Sequence, residues 1–527
     1  MVMVDRSQSP SKSIHVLNDD ALLHVFTLCR PLVLNEDEDI NINTHILPGE
    51  EWSRCERWWY NLVHVCQRWR TLIFASASYL RICHVCTHGT QVGRMLTYSP
   101  ILPLVVDYAD ETRRGGWAEE DAPGLWNALL PERRGRVRRI RLLVHESPHW
   151  DFFWALLDGT FPALECLIVK LRERRHPTPS FKLPHRFRAP RLRHLVFTRF
   201  DFPLATPILD TSVHLVTLSL NLVVFCLPND LLERLSSLPR LEILNIASTS
   251  PISDDFGMPW GQGSQWSTPL NTHATLSNLH LFRFEGHGLY LKALLPGMTA
   301  PLLGGLQIAF LNQMTPSVSC QLSCGTTAEN HNFSIGSAWF RFHQRGVSVC
   351  VCPSDEGRAY VFSLHAFCRG LTSQLSFVSQ LFDGLSPLLA SVVDLSLDCS
   401  GRTCLSEQHH DTENKRMHWR NLLRSFRNVE ILRVHGELSQ DISRALLLGS
   451  EAEPVSSPVL LLRLKELQCT PTGALPGAEN ALAAFIHAYE AAGHTVRHVL
   501  ATGPILPPVS TGISSRPYQP QLEFQSR

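Results

Sequence analysis

One short pattern, Leu-x-x-Leu-x-apolar, recurs along most of this chain and constrains its fold more than any other feature. It starts at Val137, Leu164, Leu192, Leu215, Leu241, Leu276 and Leu303, and again at Val392, Val429 and Leu464. The steps run roughly 23–37 residues, apart from one long gap between Leu303 and Val392, which is the spacing of a repeat array. Each match reads as a short strand whose alternate side chains face one side. An apolar helix-like stretch precedes three of them, at residues 152–157, 230–235 and 419–426. Pro162, Pro190, Pro239 and Pro301 each stand two residues before the first leucine of a match, where proline stops a helix and admits an extended segment. The expected architecture for residues 91–500 is an irregular α/β repeat solenoid. An ordinary α/β domain with many strands is the alternative.

Several stretches interrupt the array. Residues 250–272 are rich in Ser, Gly, Pro and Trp and read as a loop, 312–335 are polar, and 400–415 are polar and contain histidine. Residues 337–364 alternate in the manner of a β-meander, a β-rich insertion within the repeats. A closing helix is expected at 480–492, with Leu482, Phe485, Ile486 and Tyr489 inward, Gly493 at its end, and a last strand at 496–500. Residues 1–13 and 501–527 read as disordered.

Residues 14–90 have a different texture. A helix is expected from Asp19 to Cys29, capped by Asn18 or Asp19 and ended by Pro31. An acidic loop follows at 35–51, and then a second helix from Trp52 to Ala75 with Trp58, Leu62, Val65, Cys66, Trp69 and Ile73 at helical spacing.

Charge and cysteine usage narrow the class. Lys+Arg and Asp+Glu are both 48, and this zero balance speaks against a nucleic-acid binder. The basic run Arg133–Arg139 fits a first strand with one basic side better than a nucleic-acid patch, because no aromatics interleave it. The 15 cysteines lie singly in apolar segments and no secretory leader is seen, which suggests reduced thiols in a cytoplasmic or nuclear protein. No apolar run reaches the length of a membrane span.

Catalytic signatures are sparse. The Cys83-His84-Val85-Cys86-Thr87-His88 cluster lacks the second spaced pair of a structural zinc site, so buried thiols are the better reading. There is no Gly-x-Ser-x-Gly elbow and no phosphate-binding Gly-x-x-x-x-Gly-Lys loop. His409-His410 reads as a solvated loop. No cofactor and no catalytic residue is expected.

The opening segments carry a family likeness. Leu17-Asn18-Asp19-Asp20-Ala21-Leu22-Leu23-His24-Val25-Phe26, followed by Val65-Cys66-Gln67-Arg68-Trp69-Arg70, resembles an F-box, which begins Leu-Pro-x-Glu-x-Leu-x-x-Ile-Phe and later carries Val-Cys-basic-x-Trp. Asn18 stands in place of the proline and Asp20 in place of the glutamate, and the insertion between the helices is long. With Leu80–Thr90 and Pro103–Tyr108, the whole is similar to the large F-box families of mushroom-forming fungi whose F-box precedes irregular leucine-rich repeats.

The resemblance implies a small helical F-box followed by a leucine-rich-repeat α/β solenoid. It implies a non-catalytic substrate-recognition subunit of a Skp-cullin-F-box ubiquitin ligase, docking on a Skp-type adaptor and through it on a cullin scaffold. Leu17, Leu22 and Phe26, with Val65, Cys66 and Trp69, would be the adaptor-binding residues. A protein target would lie on the concave row between the last two apolar positions of each strand: Arg141, Ile168, Val196, Ser219 and Asn245, then His280, Gln307, Ser396, Arg433 and Gln468. The alternative is an interaction scaffold with a degenerate F-box outside any ligase. Neither nucleic acid nor membrane is an expected partner.

Overall fold

The computed structural model describes residues 17–30, 57–87, 90–98, 101–108, 122–144, 155, 157–171, 184, 186–200, 207–222, 227–248, 271–310, 335–344, 346–353, 362–368, 370–383, 389–400, 412–435, 438–446, 460–470, 478–491 and 493–500. The terminal segments expected to be disordered, the acidic loop 35–51, and the greater part of the expected interruptions at 250–272, 312–335 and 400–415 lie outside them. The chain is an α/β protein that divides into two units, residues 1–179 with 183–196 and residues 180–182 with 197–527.

The first unit begins with helix α1 (Asp19–Leu28), whose first turn is capped by the Asn18 side chain accepting from the Ala21 N–H at 2.8 Å. Asn18 therefore satisfies one of the free donors of the helix start, as a good capping residue does. The expected single helix from Trp52 to Ala75 is not continuous. Residues 57–61 are turns, Leu62–His64 is a 3-10 turn, and Cys66 is fully extended (φ −159°, ψ 169°) as the cap of α2 (Gln67–Ala75). Val63 and Val65, stiff at the first side-chain torsion, lie at this break.

Leu22 and Phe26 of α1 pack with Trp59, Val63, Trp69, Ile73, Leu80, Ile82 and Leu102 in one buried cluster. The Phe26 and Trp69 rings meet edge to face at 4.9 Å. Arg68 ties the two helices from outside, reaching Asp19 at 2.7 Å and donating to the Leu17 carbonyl at 2.6 Å. The Trp59 indole N–H donates to the Cys83 carbonyl, joining this cluster to the first strand. Strands β1 (His84–Thr87), β2 (Leu104–Tyr108), β3 (Val137–Val144) and β4 (Cys166–Leu171) then pair in parallel, in chain order, with helices α3 (Val92–Tyr98) and α4 (Ala122–Leu129) between them. Strand β5 (His194–Phe200) carries the division between the units.

The second unit continues the scheme. Strands β6 (Thr217–Leu222), β7 (Ile243–Ser248), β9 (Leu281–Gly286) and β11 (Gly305–Phe310) pair in parallel, and so do β15 (Asp394–Ser400), β16 (Ile431–His435), β17 (Glu466–Thr470) and β18 (Arg497–Leu500). The short pair β8 (Ala274–Thr275) and β10 (Met298–Thr299) stands apart. Helices α5 (Pro207–Thr211), α6 (Pro228–Ser236), α7 (Gly288–Leu294), α8 (Leu371–Asp383), α9 (Thr412–Arg424), α10 (Leu438–Leu446) and α11 (Ala478–Ala491) fill the connections. The closing helix ends with Gly493 at φ +86°, where the Gly493 N–H donates to Glu490 and the His494 N–H to Tyr489, the paired bonds of a Schellman end.

The expected β-meander is no interruption of the sheet. Its three strands, β12 (Ile335–His343), β13 (Gly346–Pro353) and β14 (Phe362–Phe367), enter in reverse order: β14 lies parallel to β11, β13 antiparallel between, and β12 parallel to β15. Three strands joined by two reversals keep the polarity on both sides. The alternation of apolar residues also runs straight through. Leu244, Phe282, Leu306 and Phe362 are register partners in sequence, followed by Val351, Ala338, Leu395 and Leu432. Helices cover this side, where Phe340 meets Phe382 and Phe426, and Phe342 meets Trp419.

Each repeat enters its strand the same way. The first leucine of the pattern donates its N–H to the carbonyl three residues earlier: Leu164 to Phe161, Leu192 to Ala189, Leu241 to Leu238, Leu303 to Ala300 and Leu464 to Leu461. Pro162, Pro190, Pro239 and Pro301 occupy the second position of that turn, where a fixed φ is already correct. The residues after them have no positive φ, which makes the turns type I. The proline thus forms a turn rather than simply ending a helix. One carbonyl of each preceding repeat then accepts two successive N–H groups: Val216 from Glu242 and Ile243, Glu242 from His280 and Leu281, His280 from Gly304 and Gly305, Val393 from Glu430 and Ile431.

Truncations in these cores should be costly. Phe26→Ala is expected to cost about 3–5 kcal/mol and Leu244→Ala about 2–5 kcal/mol. Hydrogen exchange should show lost protection in α1 and α2 for the first, and in β6, β7 and β9 for the second.

Candidate functional site

Of the six residues assigned to adaptor docking, Leu22, Phe26 and Trp69 are interior to the helical cluster of the first unit. In this structure they hold that cluster together and offer no surface. Leu17 and Val65 are exposed and Cys66 is half-buried. Leu28 (72% exposed) and Tyr79 (64%) are further large apolar groups in solvent in this part of the first unit, beside Val65 at 56%. The structural signal for these was the break before Cys66, which turns Val65 away from the core, and helical periodicity missed it.

The arginine run is absorbed into the fold. Arg133 donates to the Asn127 carbonyl, Arg134 to Leu129 and Asp158, and Arg136 to Leu102, all around the 3-10 turn Pro131–Arg136. Arg138 pairs with Glu165 at 2.7 Å. Cys83 packs with Val85 and Val105 on one side of β1, while Cys86, one step out of phase, points to the other. Two thiols on opposite faces of a strand cannot share a metal. Burial pushes the Cys86 thiol up to about 12. Among the described residues no cluster of His, Cys, Asp and Glu has metal-holding geometry.

The expected concave row behaves differently in the two units. In the first, Arg141 is buried against the equally buried Asp107, with 3.9 Å between Nη1 and Oδ2, and Ile168 and Val196 lie in an apolar cluster with Cys166. In the second unit the row is real as a register line on the face opposite the helices. Ser219 pairs with Asn245, and Ser396 with Arg433, which pairs with Gln468. His280 is not on it. The partner of Asn245 is Arg283, which pairs with Gln307. His280 lies at the entry to β9, exposed, with its ring near the Leu302 carbonyl. Leu276 is the first residue of the entry turn, and the strand pattern begins at Leu279; Ser277 holds the place that proline marks in four other repeats. Ser363, Cys350 and Trp339 complete the row through the three inserted strands.

Two polar groups stand on this face. Around the inserted strands, the Arg341 guanidinium lies 4.1 Å over the Trp339 ring and pairs with Asp398 at 2.7 Å. Beside it, Ser348 Oγ is 2.8 Å from His365 Nδ1 and 3.4 Å from His343 Nε2. Burial, reinforced by His343, drops the His365 pKa to about 4; burial and then Arg341 lower that of His343, against the pull of Asp398. Toward the last strands, Arg433 bridges Asp394 (2.7 Å) and Gln468 (3.1 Å), and Gln468 donates to Glu466. Burial raises the Asp394 carboxyl despite Arg433 beside it. Planar cations, amides, an aromatic ring and imidazoles are thus gathered on this face.

The two histidines make stability depend on pH. Both are lowered on folding, so the unfolded chain binds more protons between the usual histidine value of 6.5 and about 4. Their contribution is complete above pH 6.5 and is lost progressively as pH falls toward 4. Denaturation midpoints should drop across that window, and His365→Gln should flatten the drop.

No protein-family model matches the chain, and no curated protein is similar to it.

Proposed function

We propose that this chain is a substrate-recognition subunit of a Skp-cullin-F-box ubiquitin ligase, with an F-box at its start and leucine-rich repeats that capture a protein target. The observation that carries the reading is the helical cluster. The Leu-x-x-x-x-Leu-x-x-x-Phe segment packs on the tryptophan of the Val-Cys-x-Arg-Trp segment, while Leu17, Leu28 and Val65 stay in solvent. A small helical element that exposes several large apolar side chains has the makings of a docking surface. The recurring entry turns and short parallel strands, with helices in several of the connections, support the leucine-rich reading. The polar sheet face of the second unit supplies the side chains that would hold a target, and catalysis of ubiquitin transfer would belong to other subunits. No helix among the described residues is long and apolar enough to cross a membrane.

One observation favours the second reading, a scaffold outside any ligase. Leu22, Phe26 and Trp69 satisfy one another within the chain and leave less apolar surface for an adaptor.

Co-purification of the full chain with a Skp-type adaptor decides between them. Binding is expected, and Leu17→Asp combined with Val65→Asp should weaken it at least ~30-fold, the effect of losing a hot spot worth about 2 kcal/mol. Leu22→Asp would unfold the cluster and is the wrong probe. A chain that retains its circular dichroism but captures no adaptor is the scaffold.

A further inference from the structure

Among the described residues of the second unit, Arg283 and Asn245 form a buried polar pair on the sheet face whose side chains lack partners. They are register partners on β9 and β7 and are 9% and 7% exposed. Arg341, Arg433 and Arg234 each have a carboxylate. Arg283 has none among the described residues, and its Nε has no hydrogen-bond partner. Neither Oδ1 nor Nδ2 of Asn245 has a partner, and Oδ1 of Asn221, one strand further along the same face, is likewise unmatched. Burial lowers the Arg283 pKa to about 10, which leaves it charged at neutral pH.

A buried charge without a counter-charge, next to a buried amide without hydrogen bonds, is unfavourable on its own terms. A ligand that neutralises the first and bonds the second removes both costs. We propose that Arg283 and Asn245 form a binding site for a carboxylate group, one oxygen taken by the guanidinium and the other by the Asn245 side-chain Nδ2–H. One guanidinium balances one negative charge. A dianionic phosphate brings a second charge that Arg283 does not balance and fits poorly; Glu285, two residues along on the same face of β9, makes no ion pair with Arg283, and burial raises its carboxyl. The carboxylate can be carried by an acidic residue of a protein target or by a free small acid. The site deepens the target-binding half of the proposed function and is independent of adaptor docking.

Thermal unfolding of the full chain at pH 7.5 and constant ionic strength tests it, with sodium acetate, an acetyl-Gly-Asp-Gly-amide peptide, inorganic phosphate and chloride as the added solutes. Acetate or the peptide should raise Tm by a few degrees over chloride, and phosphate should not. A response to acetate indicates a free acid, and a response to the peptide alone a protein-borne group. Arg283→Met should abolish the response. Asn245→Asp, which places a carboxylate opposite Arg283 within the chain, should raise Tm without any solute and also abolish the response. The proposal is overturned if neither carboxylate shifts Tm, if phosphate shifts it more, or if the shift survives in the variants. Should Arg283→Met not fold, a lowered Tm with a retained response in Asn245→Asp overturns it equally. Adaptor co-purification by the Asn245→Asp chain stays unchanged in every case, so this result and the docking result are read separately.

Discussion

The shared carbonyl at each strand entry is the interaction on which the second unit depends. Val216, Glu242, His280, Val393 and Glu430 each accept two consecutive N–H groups from the next repeat. A strand shifted by one residue would turn its leucines to the polar face and its polar residues into the core. Two bonds converging on one oxygen, backed by the turn bond of the first leucine, leave a single register. Everything described on the polar face follows from that phase, including the neighbourhood of Asn245 and Arg283.

The same device explains which parts of the fold were legible in the sequence. Where Pro162, Pro190, Pro239 and Pro301 marked the turn, the strand residues followed correctly. At Leu276 both Leu276 and Leu279 satisfy the pattern, no proline discriminates, and the reading slipped to His280. The inserted strands were recognisable as strands, but their membership of the sheet was not, because β14 pairs with β11 across an intervening pair of reversals. Pairing at that separation leaves no local mark. In the helical cluster, Phe26 and Trp69 were identifiable as important, yet burial and docking both call for large apolar side chains. Only the three-dimensional packing separated them.

Charge placement shows the same logic at another scale. The arginines of residues 133–138, read from the sequence as the basic side of a first strand, are each engaged by carbonyls or by Glu165. Arg341 and Arg433 are held by carboxylates on neighbouring strands. These described cations are held in fixed local bonds, so this part of the polar face is defined by geometry rather than by a field.

The reversed order β11–β14–β13–β12–β15 also bears on how the chain is made. Strands elsewhere in the parallel runs receive their partner from the next repeat to be synthesised. β11 must wait until Phe362–Phe367 has left the ribosome, and β12 must wait further for Asp394–Ser400. An unpaired parallel edge is an invitation to pair with another chain. Until Phe362–Phe367 pairs with it, the β11 edge at Gly305–Phe310 is an unpaired parallel edge.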